Sequence, residues 1–168
     1  MILSIQILKN YRFFSGLKDE DIQTFLNRIS TKTVKSGTAI VKEGQDEDRL
    51  IFLLKGECSV SMVLTLQTNL LERDDRAKEV YLASAKDFPV FGEVYIGEEK
   101  HRTANIKTKT ECLLGILEGK DFIDICETNS DLGYKVMKNV VDIMCDRFED
   151  TSKTVLKLST AISLLLDS

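Results

Sequence analysis

The chain is poor in the residues that most metal and covalent chemistry requires. It has one histidine, His101, and four cysteines, Cys58, Cys112, Cys126 and Cys145, with no C-x-x-C pair. That set holds too few clustered ligands for a structural zinc site. A haem or iron–sulfur centre would need a cysteine cluster or a paired Cys/His ligand set. The cysteines are therefore expected to be reduced, mostly buried thiols behaving as small apolar side chains. No Ser/His/Asp arrangement can be built on one turn histidine, and no G-x-x-x-x-G-K-S/T phosphate loop occurs, so an enzyme is not expected. Basic excess is missing as well. Lys and Arg number 23 against 27 Asp and Glu, a formal net charge of −4, which implies no strongly basic face for nucleic acid. No apolar run approaches the roughly 18 residues of a membrane span. The longest candidate, 158–166, is interrupted by Ser159, Thr160 and Ser163. Lys9, Arg12 and Lys18 follow the short apolar start, where a secretory signal would carry its charges first. A soluble, cytoplasmic protein with no membrane partner is the expectation.

What is present is enough for one core: 168 residues, 43% of them hydrophobic. The chain reads as a single domain, 1–168, in three stretches. In 1–30, Phe14, Leu17, Ile22, Phe25, Leu26 and Ile29 recur at helical spacing over about 5–29. In 31–118 the pattern changes to short β-like runs, with candidate strands at 32–34, 39–42, 50–55, 58–66, 79–83, 104–108 and 111–117. Gly37, Gly44 and Gly56 stand between them, where chain corners need positive φ. A charged excursion between Thr65 and Lys78 reads as a solvated hairpin tip or flap, with a partner-docking loop as the other reading.

The stretch 120–168 is helical, with a short helix ending near Thr128 and a long one for which Ser130 is a candidate N-cap. On the long helix Met137, Val141, Met144, Phe148, Thr151, Val155, Leu158, Ile162 and Leu165 step by four, three, four, three, the rhythm of a coiled-coil seam. The seam is roughly 42 Å long, and dimerisation along it is expected; the alternative is a helix broken near 152–154. A second row, Val136, Val140 and Ile143, is free to pack on the strands.

Residues 91–104, F-G-E-V-Y-I-G-E-E-K-H-R-T-A, concentrate the polar chemistry. Gly92-Glu93 is expected to open one turn of helix, where free backbone N–H groups favour an anion. Nine residues after Glu93, Arg102 and Thr103 supply guanidinium and hydroxyl donors. Anion donors and a carboxylate acceptor this close together suit a ligand carrying both a phosphate and sugar hydroxyls. An ion pair of Arg102 with Glu98 or Glu99 is the competing reading.

In register at Gly92, Glu93, Arg102 and Ala104, the stretch resembles the phosphate-binding cassette of the cyclic nucleotide-binding domain family. The Phe14-Ser15-Gly16-Leu17 phrase and the run from Leu50 to Glu57 resemble the same family. The resemblance implies an α+β fold: a double-stranded β-helix, or jelly-roll-like β-roll, flanked by N-terminal helices and a long C-terminal dimerisation helix. It implies a ligand, cyclic AMP or cyclic GMP, with no other cofactor, held by Phe91, Gly92, Glu93, Val94, Arg102, Thr103 and Ala104. Glu93 would accept from the ribose 2′-hydroxyl and Arg102 would neutralise the phosphate. Residues 147–155 resemble the dimer helix of the family's catabolite activator members, which would bring Thr151 and Ser152 to the base; a register-setting role for Thr151 stands beside that. Tyr95, Gly97 and His101 depart from the pattern, Tyr95 as a side chain that could crowd the ligand and His101 as a solvent-facing turn residue. No recognition helix follows, so no direct nucleic-acid contact is expected, and the signal would pass through a homodimer to an unknown protein effector.

Overall fold

The computed structural model describes residues 2–63, 77–93 and 101–166. Two four-stranded antiparallel sheets face each other. β1 (Ser30–Val34), β3 (Arg49–Lys55), β6 (Val90–Phe91) and β8 (Cys112–Glu118) form the first, in the order β1-β8-β3-β6. β2 (Ala39–Val41), β4 (Glu57–Val63), β5 (Ala77–Ser84) and β7 (Asn105–Thr108) form the second, in the order β2-β7-β4-β5. Together they make the expected β-roll, with helices on the outer face of the first sheet.

β3 explains how one strand serves two cores. It is an almost unbroken apolar run, buried on both faces between β8 and β6. Ile51 and Leu53 point between the sheets and join Val41, Cys58, Val60, Phe91, Ile106 and Leu114. Leu50, Phe52 and Leu54 point the other way, into the helical layer. There Phe13 is central, with its ring 4.9 Å from Phe14, 5.5 Å from Phe52 and 5.9 Å from Phe122. Edge-to-face pairs of this kind add about 0.5–1.5 kcal/mol each beyond the area they bury. The buried Tyr11 hydroxyl donates to the Leu53 carbonyl at 2.7 Å.

The expected N-terminal helical segment is three pieces: α1 (Ile5–Leu8), a 3₁₀ turn (Arg12–Phe14) and α2 (Asp19–Leu26). Gly16 adopts φ 71°, a left-handed conformation that ends helical continuity there. β6 and a 3₁₀ turn at Ala85–Asp87 were not anticipated. β5 starts two residues before the expected 79, and β4 is described to Val63. The charged excursion lies, apart from Ala77 and Lys78, outside the described residues.

α3 (Gly119–Thr128) leads into α4 (Ser130–Leu166), which is continuous for 37 residues and unbroken at 152–154. Its N-cap is Asn129, not Ser130: the Asn129 Oδ1 accepts from the Leu132 N–H at 3.1 Å. Leu132, Gly133, Val136 and Val140 are buried on the helical layer, with Ile143 packed beside them. The Asn139 amide donates to the carbonyls of Phe13 and Ser15 at 3.1 and 2.8 Å, fixing α4 to the N-terminal segment. After Ile143 every described residue of α4 is exposed, including Phe148, Val155, Leu158, Ile162 and Leu165.

Candidate functional site

Gly92 follows β6 with φ 96°. A Cβ at this position would collide with the Arg102 guanidinium and with the Arg49 carbonyl oxygen. The absent side chain lets Arg102 lie flat against the strand end, and its Nη2 donates to that same carbonyl at 2.7 Å. Glycine is required twice here, for its backbone conformation and for the space it leaves.

Arg102 is only 3% exposed. The loop between β2 and β3 holds it from behind: Gly44 N–H donates to the Arg102 carbonyl at 2.7 Å, and Arg102 N–H donates to Gln45 at 3.1 Å. Glu47 Oε2 lies 3.9 Å from Arg102 Nε, while Arg49 donates to Glu47 Oε1 at 2.9 Å. These are the described partners of Arg102; Glu98 and Glu99, the pairing considered from sequence, lie outside the described residues. Next to it, His101 is exposed, with Nδ1 2.6 Å from Asp46 Oδ1, as a solvent-facing turn residue should be.

Glu93 is 2% exposed. Its Oε1 accepts a hydrogen bond from Arg147 Nη1 of α4, and Arg147 Nη2 also donates to the Val90 carbonyl at 2.9 Å. The other carboxylate oxygen, Oε2, is buried and has no hydrogen-bond partner among the described residues. An unsatisfied buried acceptor costs about 1–3 kcal/mol, more when it is charged.

Phe91, Gly92, Glu93, Arg102, Thr103 and Ala104 line one cleft, with Val41, Val60, Ile106, Tyr81 and Arg147 completing its wall. The cleft encloses about 410 Å³ of empty space including its open mouth. Among the described lining residues the charged groups are two guanidiniums and one carboxylate, a set that suits a small anion. Val94, Tyr95 and Gly97 lie outside the described residues. Thr151 and Ser152 are not among the lining residues: both are exposed, and the Thr151 hydroxyl donates to the Arg147 carbonyl at 2.8 Å.

Sequence reasoning missed Arg147 as a cleft residue, although a signal existed. Leu132, Val136, Val140 and Ile143 form the buried stripe of α4, and the next step along it is Arg147. A cation ending a core-facing row implies an acid beneath it. Tyr81 was missed too; it stands two residues before the buried Ala83, on the inward face of β5.

A sequence model of the family described as "Cyclic nucleotide-binding domain" matches residues 31–129. Among solved structures, a cyclic nucleotide-binding domain from Methylobacillus flagellatus is similar with a TM-score of 0.75 at 16% identity, covering 90% of this chain and 80% of that one. The catabolite activator protein of Thermus thermophilus gives 0.71 at 18% identity, covering 88% of this chain and 63% of that one. The regulatory domain of Toxoplasma gondii PKA, crystallised with cAMP, gives 0.61 at 23% identity, covering 72% of this chain and 42% of that one. At these identities the structural likeness concerns the fold alone. This chain thus spans less than half of the Toxoplasma chain and less than two thirds of the Thermus chain. No curated protein matches.

Proposed function

Because the chain belongs to the cyclic nucleotide-binding domain family, we propose that its cleft takes a 3′,5′-cyclic nucleotide, cyclic AMP or cyclic GMP, as a regulatory ligand. The observation that carries this reading is the buried Glu93 Oε2, without a hydrogen-bond partner among the described residues, in the same cleft as the buried Arg102 guanidinium. A ribose 2′-hydroxyl donates to that oxygen and relieves the cost of its burial. The single negative charge of the cyclic phosphodiester goes to Arg102, with Thr103 as a further donor. Charged hydrogen bonds contribute about 1.5–3 kcal/mol each, so this set together with base burial reaches the roughly 8 kcal/mol of micromolar affinity. No bond-breaking step is needed.

Signalling runs through α4, since Arg147 sits on that helix and holds the carboxylate the sugar would use. A ligand that engages Glu93 differentially changes this hold, and only such a difference can shift the helix. The exposed seam of α4 fits a second copy of the chain. Val141, Val155 and Ile162 fall at one set of heptad positions, with Leu158 and Leu165 at the other, the arrangement that favours parallel pairs. In such a homodimer Thr151 lies on the seam, and contact of Thr151 and Ser152 with the base belongs to that assembly. A protein effector reading the helix pair completes the scheme.

One observation favours a second reading. Arg147 already neutralises Glu93 without a ligand, as it would in a docking module whose pocket is vestigial. Thermal denaturation with cyclic AMP and cyclic GMP separates the two. A binding ligand at a hundredfold excess over Kd stabilises by about 2.7 kcal/mol, and Arg102→Ala should abolish the shift. The docking module predicts no shift with either nucleotide.

A further inference from the structure

The loop between β2 and β3 carries three consecutive acids, Asp46, Glu47 and Asp48, and the structure gives each a different neighbour. Asp46 pairs with exposed His101. Asp48 lies against Gly119 at the start of α3, where a Cβ would strike its carboxylate. Glu47 turns to the back of Arg102: its Oε2 lies 3.9 Å from Arg102 Nε, and its Oε1 accepts from Arg49 Nη2 at 2.9 Å. At 3.9 Å the contact with Arg102 is a pairing of charges rather than a hydrogen bond. Glu47 Oε2 is buried and takes no hydrogen bond among the described residues.

Glu47 is not among the described residues that line the cleft. The guanidinium stands between: Arg102 Nη1 lies beside Gly92 on the cleft wall, and Nε faces Glu47. A carboxylate in that place does not touch a ligand, yet its field reaches one past the buried cation. Arg49, Arg102 and Arg147 bring three positive charges, and Glu47 and Glu93 two negative ones. These described groups are left with one positive charge; without Glu47 they would hold two.

We infer that Glu47 sets the charge of the phosphate site, matching it to a singly charged phosphodiester and discriminating against a doubly charged phosphomonoester. This rests on the cyclic nucleotide reading of the cleft and adds the residue that separates a cyclic nucleotide from its ring-opened 5′-monophosphate. A cyclic ester has one ionised oxygen, whereas a phosphomonoester carries a second charge above a pKa of about 6. The dianion feels Glu47 twice, and one of its charges finds no counter-charge among the described groups. On the far side of the guanidinium a phosphate lies about 7 Å from Glu47, where even the dielectric of bulk water leaves a factor of about three in affinity. That factor acts once on a monoanion and is squared, to about ninefold, for a dianion.

The test compares cyclic AMP, 5′-AMP and the methyl ester of 5′-AMP at about pH 8, above the second phosphate pKa, on the wild-type chain, Glu47→Gln and Glu47→Asp. Cyclic AMP is titrated calorimetrically and the other two by competition against it, with the guanine series run in parallel. The methyl ester is singly charged but open, so it separates charge from ring shape. Glu47→Gln should bind cyclic AMP and the methyl ester about threefold tighter and 5′-AMP about ninefold tighter. Glu47→Asp retains the charge and should keep the wild-type ratio of cyclic AMP to 5′-AMP affinity. A Glu47 that only props Arg102 would weaken all three ligands alike in Glu47→Gln, and that result overturns the inference. An unchanged ratio in Glu47→Gln overturns it as well, including the case in which 5′-AMP competes on neither protein. If the wild-type chain binds neither cyclic nucleotide, the reading of the cleft itself fails and this inference falls with it; binding whose charge preference ignores Glu47 sinks the inference alone.

Discussion

Gly92 and Arg102 form one unit, because the guanidinium occupies the space a Cβ would need. Gly92→Ala should therefore lose ligand binding and about 1–3 kcal/mol of stability, the range for a residue held in a strained backbone region; denaturant unfolding and a binding titration check the two halves separately. Arg147→Ala leaves a buried Glu93 carboxylate without its described partner. Removing one partner of a fully buried pair costs about 3–5 kcal/mol, but the Arg147 side chain is 43% exposed, and solvent screening reduces the loss to about 1–2 kcal/mol. Two thiols offer a further check. Cys58 and Cys112 are both fully buried with their sulfurs 3.8 Å apart, and burial pushes the Cys58 thiol up to about 12. A maleimide at neutral pH should label exposed Cys145 first and half-buried Cys126 more slowly, sparing both buried thiols until the chain unfolds. Folding holds the Cys58 proton that the unfolded chain releases near the ordinary thiol range. Its contribution to stability is thus complete below about pH 8.5 and lost as pH rises toward 12, which unfolding titrations across that alkaline window would show. Glu93 and Arg102 are legible in sequence because nine residues separate two charges in one recognisable stretch. Arg147 is legible only as a cation ending the buried row of α4, and Tyr81 only as an inward position of β5; that both meet this stretch depends on folding.

At the scale of elements, α4 carries the account. Its first part is held by Leu132, Val136 and Val140, and Arg147 still reaches the cleft, whereas the described residues beyond it, to Leu166, project into solvent with an apolar seam. The apolar residues of the projecting part are the ones a coiled-coil partner would cover. Replacing Leu158 and Ile162 together by Glu should convert a dimer to a monomer in sedimentation equilibrium and lower helical content by circular dichroism, with the folded β-roll retained. Unchanged sedimentation would remove the seam from the account. The heptad rhythm and the helix itself are legible because a period repeated over many residues outweighs local noise. The cap is legible only to within one residue: Asn129 and Ser130 are both good cap types, and geometry selects the oxygen that reaches the Leu132 N–H. β6 has two residues and therefore no period to read. The second break of the first helical segment, between the 3₁₀ turn and α2, falls at a single left-handed glycine, Gly16, whose conformation its neighbours do not announce.

For the molecule as a whole, the cleft sits where three parts meet. The first sheet delivers Gly92 and Glu93 after β6, the approach to β7 delivers Arg102 to Ala104, and α4 delivers Arg147. Its floor is the upper surface of the core between the sheets, since Val41, Val60, Phe91 and Ile106 belong to both. A ligand at this junction would touch every layer, so binding should protect amides in β6, β7 and the middle of α4 together in hydrogen exchange. The β-roll was legible from strand runs, corner glycines and family resemblance, while the splitting of β3 between two cores emerged only from the alternation of its side chains in space. The most direct test of the central claim is titration calorimetry of cyclic AMP and cyclic GMP into the wild-type chain and into Arg102→Ala. The account predicts saturable binding of at least one nucleotide at one site per chain, in the micromolar range, and about 100-fold weaker in the variant through loss of charged hydrogen bonds. No heat from either nucleotide, or equal affinity in the two proteins, would contradict it.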